Sequence, residues 1–145
     1  MMDFTRRDTL ALGAGATAMA LLPLSAFAQA DPNAELVGAP DDFLAGADAA
    51  AGDLTLTAPE IAENGNTVPI SVDAPGAVEV RVYALGNPTP GVATFRFGPL
   101  AGSQAASTRI RLAGTQDVQA IAKMADGSYQ TAMKTVKVTI GGCGG

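Results

Sequence analysis

From Leu54 onward, apolar residues recur at every second position in short runs, and this spacing constrains the fold more than any other feature of the chain. A period of two places apolar side chains on one face of a β-strand and polar side chains on the other. The alternating apolar residues are Leu54 and Leu56; Ile70 and Val72; Val78, Val80 and Val82; Phe95 and Phe97; Ile110 and Leu112; Val118, Ala120, Ala122 and Met124; and Val136, Val138 and Ile140. Gly, Pro and Asn clusters typical of turns separate the runs. The pattern predicts an all-β fold, an immunoglobulin-like antiparallel sandwich of about seven strands.

The segment ahead of the strands predicts a short helix. Pro40, Asp41 and Asp42 suit a first helical turn, because proline fits that position and carboxylates favour the positive end of the helix dipole. A carboxylate pair with a chemical role is the alternative. Adjacent residues on a helix point in different directions, so the helix start is favoured.

Residues 1–30 have the features of an export signal. Arg6 and Arg7 precede a weakly apolar stretch, and Ala26-Phe27-Ala28 and Ala28-Gln29-Ala30 both fit small-x-small cleavage sites. The paired arginines indicate the twin-arginine route and therefore a periplasmic protein. An uncleaved membrane anchor is the alternative, since about 20 strongly apolar residues could span a bilayer. The weak hydrophobicity and the cleavage sites favour removal.

Composition excludes many kinds of chemistry. The 145 residues include no His and one Cys, which excludes catalytic triads, His-ligated metals, Cys-ligated clusters and an internal disulfide. We therefore expect no metal and no cofactor. The 14 acidic residues outnumber the 9 basic ones, giving a net charge of -5, and this argues against nucleic acid as a partner.

Charge is divided along the chain. The ten acidic residues from Asp31 to Glu79 have no basic residue among them, whereas residues 80–145 have seven bases and two acids. Folding could mix the two halves, or the later half could present a basic face to an anion or an acidic partner. Arg109 and Arg111 are candidates for such a face, with an ordinary solvated strand face as the alternative.

The sequence Gly141-Gly142-Cys143-Gly144-Gly145 follows the last predicted strand directly. Glycine loses the most backbone entropy on ordering, so we expect a flexible arm, and its lack of Cβ atoms suits a narrow channel. Glycine neighbours do not activate a thiol, so activation of Cys143 must come from wherever the arm docks. This favours a covalent substrate carrier over an enzyme.

Two other functions fit the tail less well. The chain could be a periplasmic immunoglobulin-like adaptor whose Cys143 only forms an intermolecular disulfide. It could also be a ubiquitin-like sulfur carrier activated at its terminal Gly-Gly. Export argues against that second alternative because adenylation needs ATP, and its fold would need a helix crossing a sheet.

Three parts of the chain together resemble the SoxY family, the sulfur-carrying subunits of periplasmic thiosulfate oxidation. They are the twin-arginine signal, the segment Ala58–Gly65 with Val68-Pro69, and Lys137–Gly145. The resemblance implies that Cys143 is the covalent attachment site for thiosulfate-derived groups, on an arm of Gly141, Gly142, Gly144 and Gly145. It also covers Glu60, Glu63 and Asn64, which we expect to shape a turn or a partner surface.

The resemblance implies partners as well. A SoxZ-like subunit would form a heterodimer with the chain, and SoxXA, SoxB and, where present, SoxCD would dock transiently. Haem and manganese would belong to those enzymes. No nucleic acid is expected as a partner, and no membrane after signal cleavage. We thus expect a removed signal at 1–30, an immunoglobulin-like domain at 31–140 and a carrier arm at 141–145.

Overall fold

The computed structural model describes residues 38–141, which begin with helix α1 at Pro40–Leu44. The Asp42 carboxylate accepts a hydrogen bond of 2.9 Å from the Ala39 backbone N–H and thereby closes the first turn. Ala45, in the left-handed conformation with φ of 50°, ends the helix. The predicted short helix is confirmed, and the Asp42 side chain serves its start rather than a carboxylate pair.

Nine strands follow within the described residues. They are β1 (Ala49–Ala50), β2 (Thr55–Thr57), β3 (Ile61–Ala62), β4 (Val68–Asp73), β5 (Ala77–Ala84), β6 (Gly91–Arg96), β7 (Ala105–Ile110), β8 (Gln116–Met124) and β9 (Tyr129–Val138). The larger sheet has the order β1-β9-β8-β5-β6, with β3 also on β9, and the smaller sheet has the order β2-β4-β7. Strands β1 and β3 pair with β9 in parallel, and the other pairings are antiparallel.

The main core fills the space between the two sheets. It is built from alternate residues of strands in both sheets, chiefly Leu56, Ile70, Val72, Val80, Val82, Ile110, Leu112, Val118, Ala120, Ala122 and Val136. These are the residues that the period of two places on one face, so the immunoglobulin-like sandwich is confirmed. The seven strands of three or more residues match the expected number, and the two additional strands have two residues each.

A second, smaller core lies on the opposite face of the larger sheet, under helix α1. Phe43 of the helix packs with Tyr83 of β5 and Ile121 of β8. The rings of Phe43 and Tyr129 meet edge to face with centroids 5.5 Å apart, and the Arg81 guanidinium lies 4.3 Å from the centre of the Phe43 ring. One end of this strand face is therefore buried, although the alternation pattern predicts that the whole face is polar and exposed to water.

Some predicted positions differ in the structure. Val78 is 41% exposed because the pairing of β5 with β8 shifts register between Ala77 and Glu79. Ile140, predicted to continue the inward row of the last strand, is 67% exposed and lies beyond the end of β9. These two expectations were wrong.

The two charged halves of the chain meet on the larger sheet. The Glu79 carboxylate accepts hydrogen bonds from Arg81 at 2.6 Å and from Arg96 at 3.2 Å, so an acid of the first half pairs with bases of the second. Within residues 38–141 no helix is long and apolar enough to cross a membrane. The predicted signal at 1–30 lies outside the described residues.

Candidate functional site

The arm base, residues Lys137–Gly141, is held on one side by backbone hydrogen bonds to the segment after β2. The Lys137 N–H donates to the Glu60 carbonyl at 2.9 Å, and the Thr139 N–H donates to the Ala62 carbonyl at 3.0 Å. The Gly65 N–H donates to the Ile140 carbonyl at 2.8 Å. The chain therefore keeps a fixed backbone course for two residues beyond the end of β9.

The segment from Glu60 to Asn66 forms the turn that supports this course. The Asn64 side-chain oxygen accepts a hydrogen bond of 2.9 Å from the Asn66 N–H, a local bond typical of turns. The Thr139 hydroxyl donates to the Glu63 carbonyl at 3.2 Å. Glu60 and Glu63 thus act here through their backbone carbonyls, and the segment shapes a turn against the arm base.

The loop between β7 and β8 holds the other side of the arm base. An ideal Cβ built on Gly141 would lie only 2.7 Å from the Ala113 carbonyl oxygen, closer than Cβ atoms approach in real proteins. The Thr115 hydroxyl accepts a hydrogen bond of 3.0 Å from the Val138 N–H and donates to the Val138 carbonyl at 3.4 Å. A side chain at position 141 would therefore collide with this loop, and glycine permits the close packing.

Two buried polar side chains hold that loop. Asn87 and Gln116 are 7% and 9% exposed, and among the described residues they are the buried side chains of polar type. Asn87 Oδ1 accepts hydrogen bonds of 2.9 Å from both the Ala113 N–H and Gln116 Nε2, and Asn87 Nδ2 donates to the Arg111 carbonyl at 2.7 Å. We call these two side chains the Asn87–Gln116 cluster.

Gln116 ties the cluster to two further backbone groups. Its Nε2 donates to the Gly114 carbonyl at 3.1 Å, and its Oε1 accepts from the Gly86 N–H at 2.8 Å. The sequence pattern did not identify either residue, although Gln116 occupies an inward position two residues before Val118. A polar residue in that row is a signal that could have been used, since buried amides need partners.

The arginines considered as an anion site do not share one cavity. Arg109 lines an open groove of about 580 Å³ on the outer face of the smaller sheet. Thr57, Ser71 and Ser107 lie in the same groove, whereas Arg111 does not. Both arginines are exposed, as the solvated-face alternative predicts.

Cys143, with Gly142, Gly144 and Gly145, lies outside the described residues. Within residues 38–141 no three His, Cys, Asp or Glu side chains lie together in a way that could hold a metal ion. The structure describes the chain as far as Gly141, two residues before Cys143.

The family model of the sulfur oxidation protein SoxY matches residues 41–143, from helix α1 through Cys143. The chain belongs to the SoxY family. A solved SoxY structure, the sulfur carrier protein SoxY from Chlorobium limicola f thiosulfatophilum, is 32% identical in sequence. That match covers 69% of this chain and 94% of the other, with a TM-score of 0.57. The resemblance inferred from the sequence motifs is confirmed.

The fold is also found in proteins of another kind. Superoxide reductase (neelaredoxin) from Ignicoccus hospitalis matches with a TM-score of 0.53 and 18% identity, covering 74% of this chain and 99% of the other. At that identity the match shows a shared fold alone. No curated protein sequence matches the chain significantly.

Proposed function

We propose that this SoxY-family chain is a covalent sulfur-substrate carrier of the thiosulfate-oxidising Sox pathway, with Cys143 as the attachment site. The observation that carries the proposal is the family match, which extends through Cys143. The chain contains no other cysteine, so no second thiol competes for the role.

The carrier has to contribute only an accessible thiol to this chemistry. In loading, the Cys143 thiolate and the outer sulfur of thiosulfate form an S–S bond, and the two electrons released pass to SoxXA, a c-type cytochrome enzyme. In release, SoxB hydrolyses the terminal sulfonate group with water and frees sulfate. Where SoxCD is present, it oxidises the sulfur that remains on Cys143. Each enzyme supplies its own cofactor, and the carrier supplies none.

The geometry of the arm base supports this role. Backbone hydrogen bonds fix the chain as far as Ile140, so the tether that carries Cys143 begins at a defined point on the domain. Gly142 is the one residue between Gly141 and Cys143, so no side chain intervenes there. A thin tether with a fixed origin suits a thiol that must enter the active sites of several enzymes.

The proposal includes a compartment and a partner subunit. The paired Arg6 and Arg7 followed by small-x-small cleavage sites support twin-arginine export to the periplasm. Membership of the SoxY family supports a heterodimer with a SoxZ-like subunit and transient docking to SoxXA, SoxB and, where present, SoxCD.

The substitution Cys143→Ser tests the carrier role. We expect the variant to fold and to bind the SoxZ-like subunit, and to lose thiosulfate-dependent electron transfer in a reconstituted system. The intact mass of the parent after incubation with SoxXA and thiosulfate should increase by one bound thiosulfate-derived group, and that of the variant should not.

Undiminished turnover by Cys143→Ser would refute the carrier role. A cysteine that only cross-links two chains gives a different result. The variant would then lose a disulfide-linked dimer on a non-reducing gel while its turnover stayed at the parent level.

A further inference from the structure

We propose that Asn87 and Gln116 are positioning residues for the carrier arm: they hold the Ala113 carbonyl against Gly141 and so set the direction in which the chain leaves the domain toward Cys143. This inference rests on the proposed carrier function, because it assigns residues that orient the same arm.

The first step is the contact at Gly141. The 2.7 Å between the Ala113 carbonyl oxygen and an ideal Cβ on Gly141 means that the two backbones touch. Gly141 does not have a positive φ. Its backbone conformation is therefore open to other residues, and among residues 38–141 the obstacle to a side chain at this position is the Ala113 carbonyl.

The second step is what holds Ala113 in place. Its N–H donates to Asn87 Oδ1 at 2.9 Å, and the carbonyls of Arg111, two residues before it, and Gly114, directly after it, accept hydrogen bonds from the cluster at 2.7 and 3.1 Å. Three backbone groups around the Ala113 carbonyl are thus bonded to two buried side chains. A loop bonded in this way keeps its place because each group would lose its partner if the loop moved.

The third step is the opposite side of the arm base. The Gly65 N–H donates to the Ile140 carbonyl at 2.8 Å, and the Gly65 carbonyl accepts from the Leu112 N–H at 2.7 Å. One residue thus bonds both to the arm base and to the loop that contains Ala113. Gly141 leaves the domain between these two supports, and movement of either one would redirect the chain.

The direction of the chain at Gly141 matters because the tether from there to Cys143 is short. Cys143 lies two residues beyond Gly141, which is at most about 7 Å of extended chain. A misplacement of about 1 Å in a reacting group can cost roughly a hundredfold in rate. A short tether has little length with which to correct a wrong starting direction.

The first experiment compares two glycines in contact with, or next to, Ala113. Gly141→Ala introduces the Cβ that meets the Ala113 carbonyl, whereas Gly114→Ala introduces one with no atom within 4 Å and keeps its carbonyl. With SoxXA and thiosulfate, we expect Gly141→Ala to slow loading of Cys143 by about tenfold or more and Gly114→Ala by less than about twofold. Alkylation of Cys143 by iodoacetamide should stay within about twofold of the parent in both.

A structural readout accompanies the rates. Hydrogen exchange at the Gly65 amide should accelerate by about tenfold or more in Gly141→Ala, because its bond to Ile140 is disturbed, and should be unchanged in Gly114→Ala. Equal loading and equal exchange in the two variants would overturn the proposal.

The second experiment tests the cluster itself. Gln116→Met keeps the side-chain length and removes the three hydrogen bonds of Gln116, while Gln130→Met removes a glutamine bond to the Leu54 N–H at the other end of β9. We expect Gln116→Met to slow loading by about tenfold and Gln130→Met by less than about twofold. The double variant Gln116→Met with Gly141→Ala should load within about twofold of the slower single variant, because both act through one contact.

Independent effects that multiply in the double variant would contradict the assignment, as would equal loading by the two glutamine variants. Failure of the carrier function is recognised separately. In that case Cys143→Ser retains turnover, while the exchange rates at Gly65 still report whether Gly141 is anchored.

Discussion

The two ends of β9 are built in different ways. Near its start, Tyr129 packs edge to face with Phe43, and the Gln130 side chain accepts a hydrogen bond from the Leu54 N–H. Beyond its end, the chain is held chiefly by backbone groups, with Ile140 67% exposed and Gly141 against a carbonyl oxygen. Each end also receives a short parallel strand, β1 at the start and β3 at the end.

We infer that the start of β9 contributes chiefly to stability and that the end of β9 chiefly sets the course of the chain toward Cys143. Side-chain packing at the start buries apolar area, which is the main source of folding free energy. Backbone bonds at the end fix direction without adding side chains where the arm leaves. We therefore expect changes at the start of β9 to alter the free energy of unfolding, and changes at the end to alter delivery of the thiol.

The largest expected effect is at the start. Phe43→Ala removes a buried ring and its contacts with Tyr129 and Arg81, and we expect it to lower the free energy of unfolding by about 3 kcal/mol. Urea unfolding followed by circular dichroism measures this. Leu100→Ala is the control, because Leu100 is 98% exposed and should change stability little. Loading of Cys143 in the still-folded Phe43→Ala variant should match the parent, and a large loading defect would show that the two ends are not separate.

The next largest effect is expected beyond the end of β9, on the reaction of Cys143 with the partner enzymes. Replacing both Gly141 and Gly142 with Pro fixes φ near -65° at two consecutive positions and adds ring bulk. We expect enzymatic loading and sulfate release to fall together by roughly a hundredfold, while a small alkylating reagent labels Cys143 at the parent rate. Reaction with the partner enzymes at the parent rate would exclude a flexible carrier arm.

A smaller effect, on stability, is expected at Val138, the last residue of β9. Thr115→Val removes the hydroxyl that bonds to both backbone groups of Val138, and we expect a loss of about 1 kcal/mol in the free energy of unfolding. Amide exchange at Val138 should accelerate, since its N–H loses its acceptor. Thr89→Val, at an exposed threonine in the loop between β5 and β6, should leave the Val138 exchange rate at the parent value. Unchanged exchange in Thr115→Val would mean that Thr115 does not hold the arm base.

The smallest effect is a pH dependence of the free energy of unfolding that arises from Tyr83, which lies under helix α1. Burial raises the pKa of Tyr83, and the nearby Arg81 partly opposes that shift. As the pH rises above about 10, the unfolded chain loses this proton before the folded one, so the Tyr83 contribution to stability is present below that pH and declines above it. Tyr83→Phe should reduce the alkaline decline, measured as the difference in urea midpoint between pH 9 and pH 11. Identical declines in variant and parent would contradict this.

Sequence alternation predicts a strand well where its inward positions are apolar, and it fails where polar or small residues occupy them. Strand β8 was predicted from Val118, Ala120 and Ala122, all buried in the main core. The first seven residues of β9 were missed because they alternate poorly. Gln130 and Lys134 share the face of Val136, whereas Tyr129 and Met133 lie on the other face. Most of β7 was missed for another reason. Its Ala, Ser and Thr residues give little hydrophobic contrast.

For the site, the sequence indicated the arm and a turn at residues 60–64, but not the Asn87–Gln116 cluster that holds the other side. The motif Gly141–Gly145 with Cys143 is local and can be recognised in a single stretch. The Asn87–Gln116 pair joins residues 29 positions apart, and their contact depends on the course of the loops beside β5 and β8. The contact of Gly141 with Ala113 likewise depends on sheet topology, which alternation does not specify.

The parallel pairing of β3 with the end of β9 has a consequence for the order of folding. Thr139 and Glu63, bonded at the arm base, lie 76 positions apart in the chain. Contacts across so long a loop cost chain entropy early and form late, after the intervening hairpin strands have assembled. We therefore expect the arm base to be completed after the rest of the sandwich is in place. A protein that recognises the chain at this base would then distinguish finished molecules from incompletely folded ones.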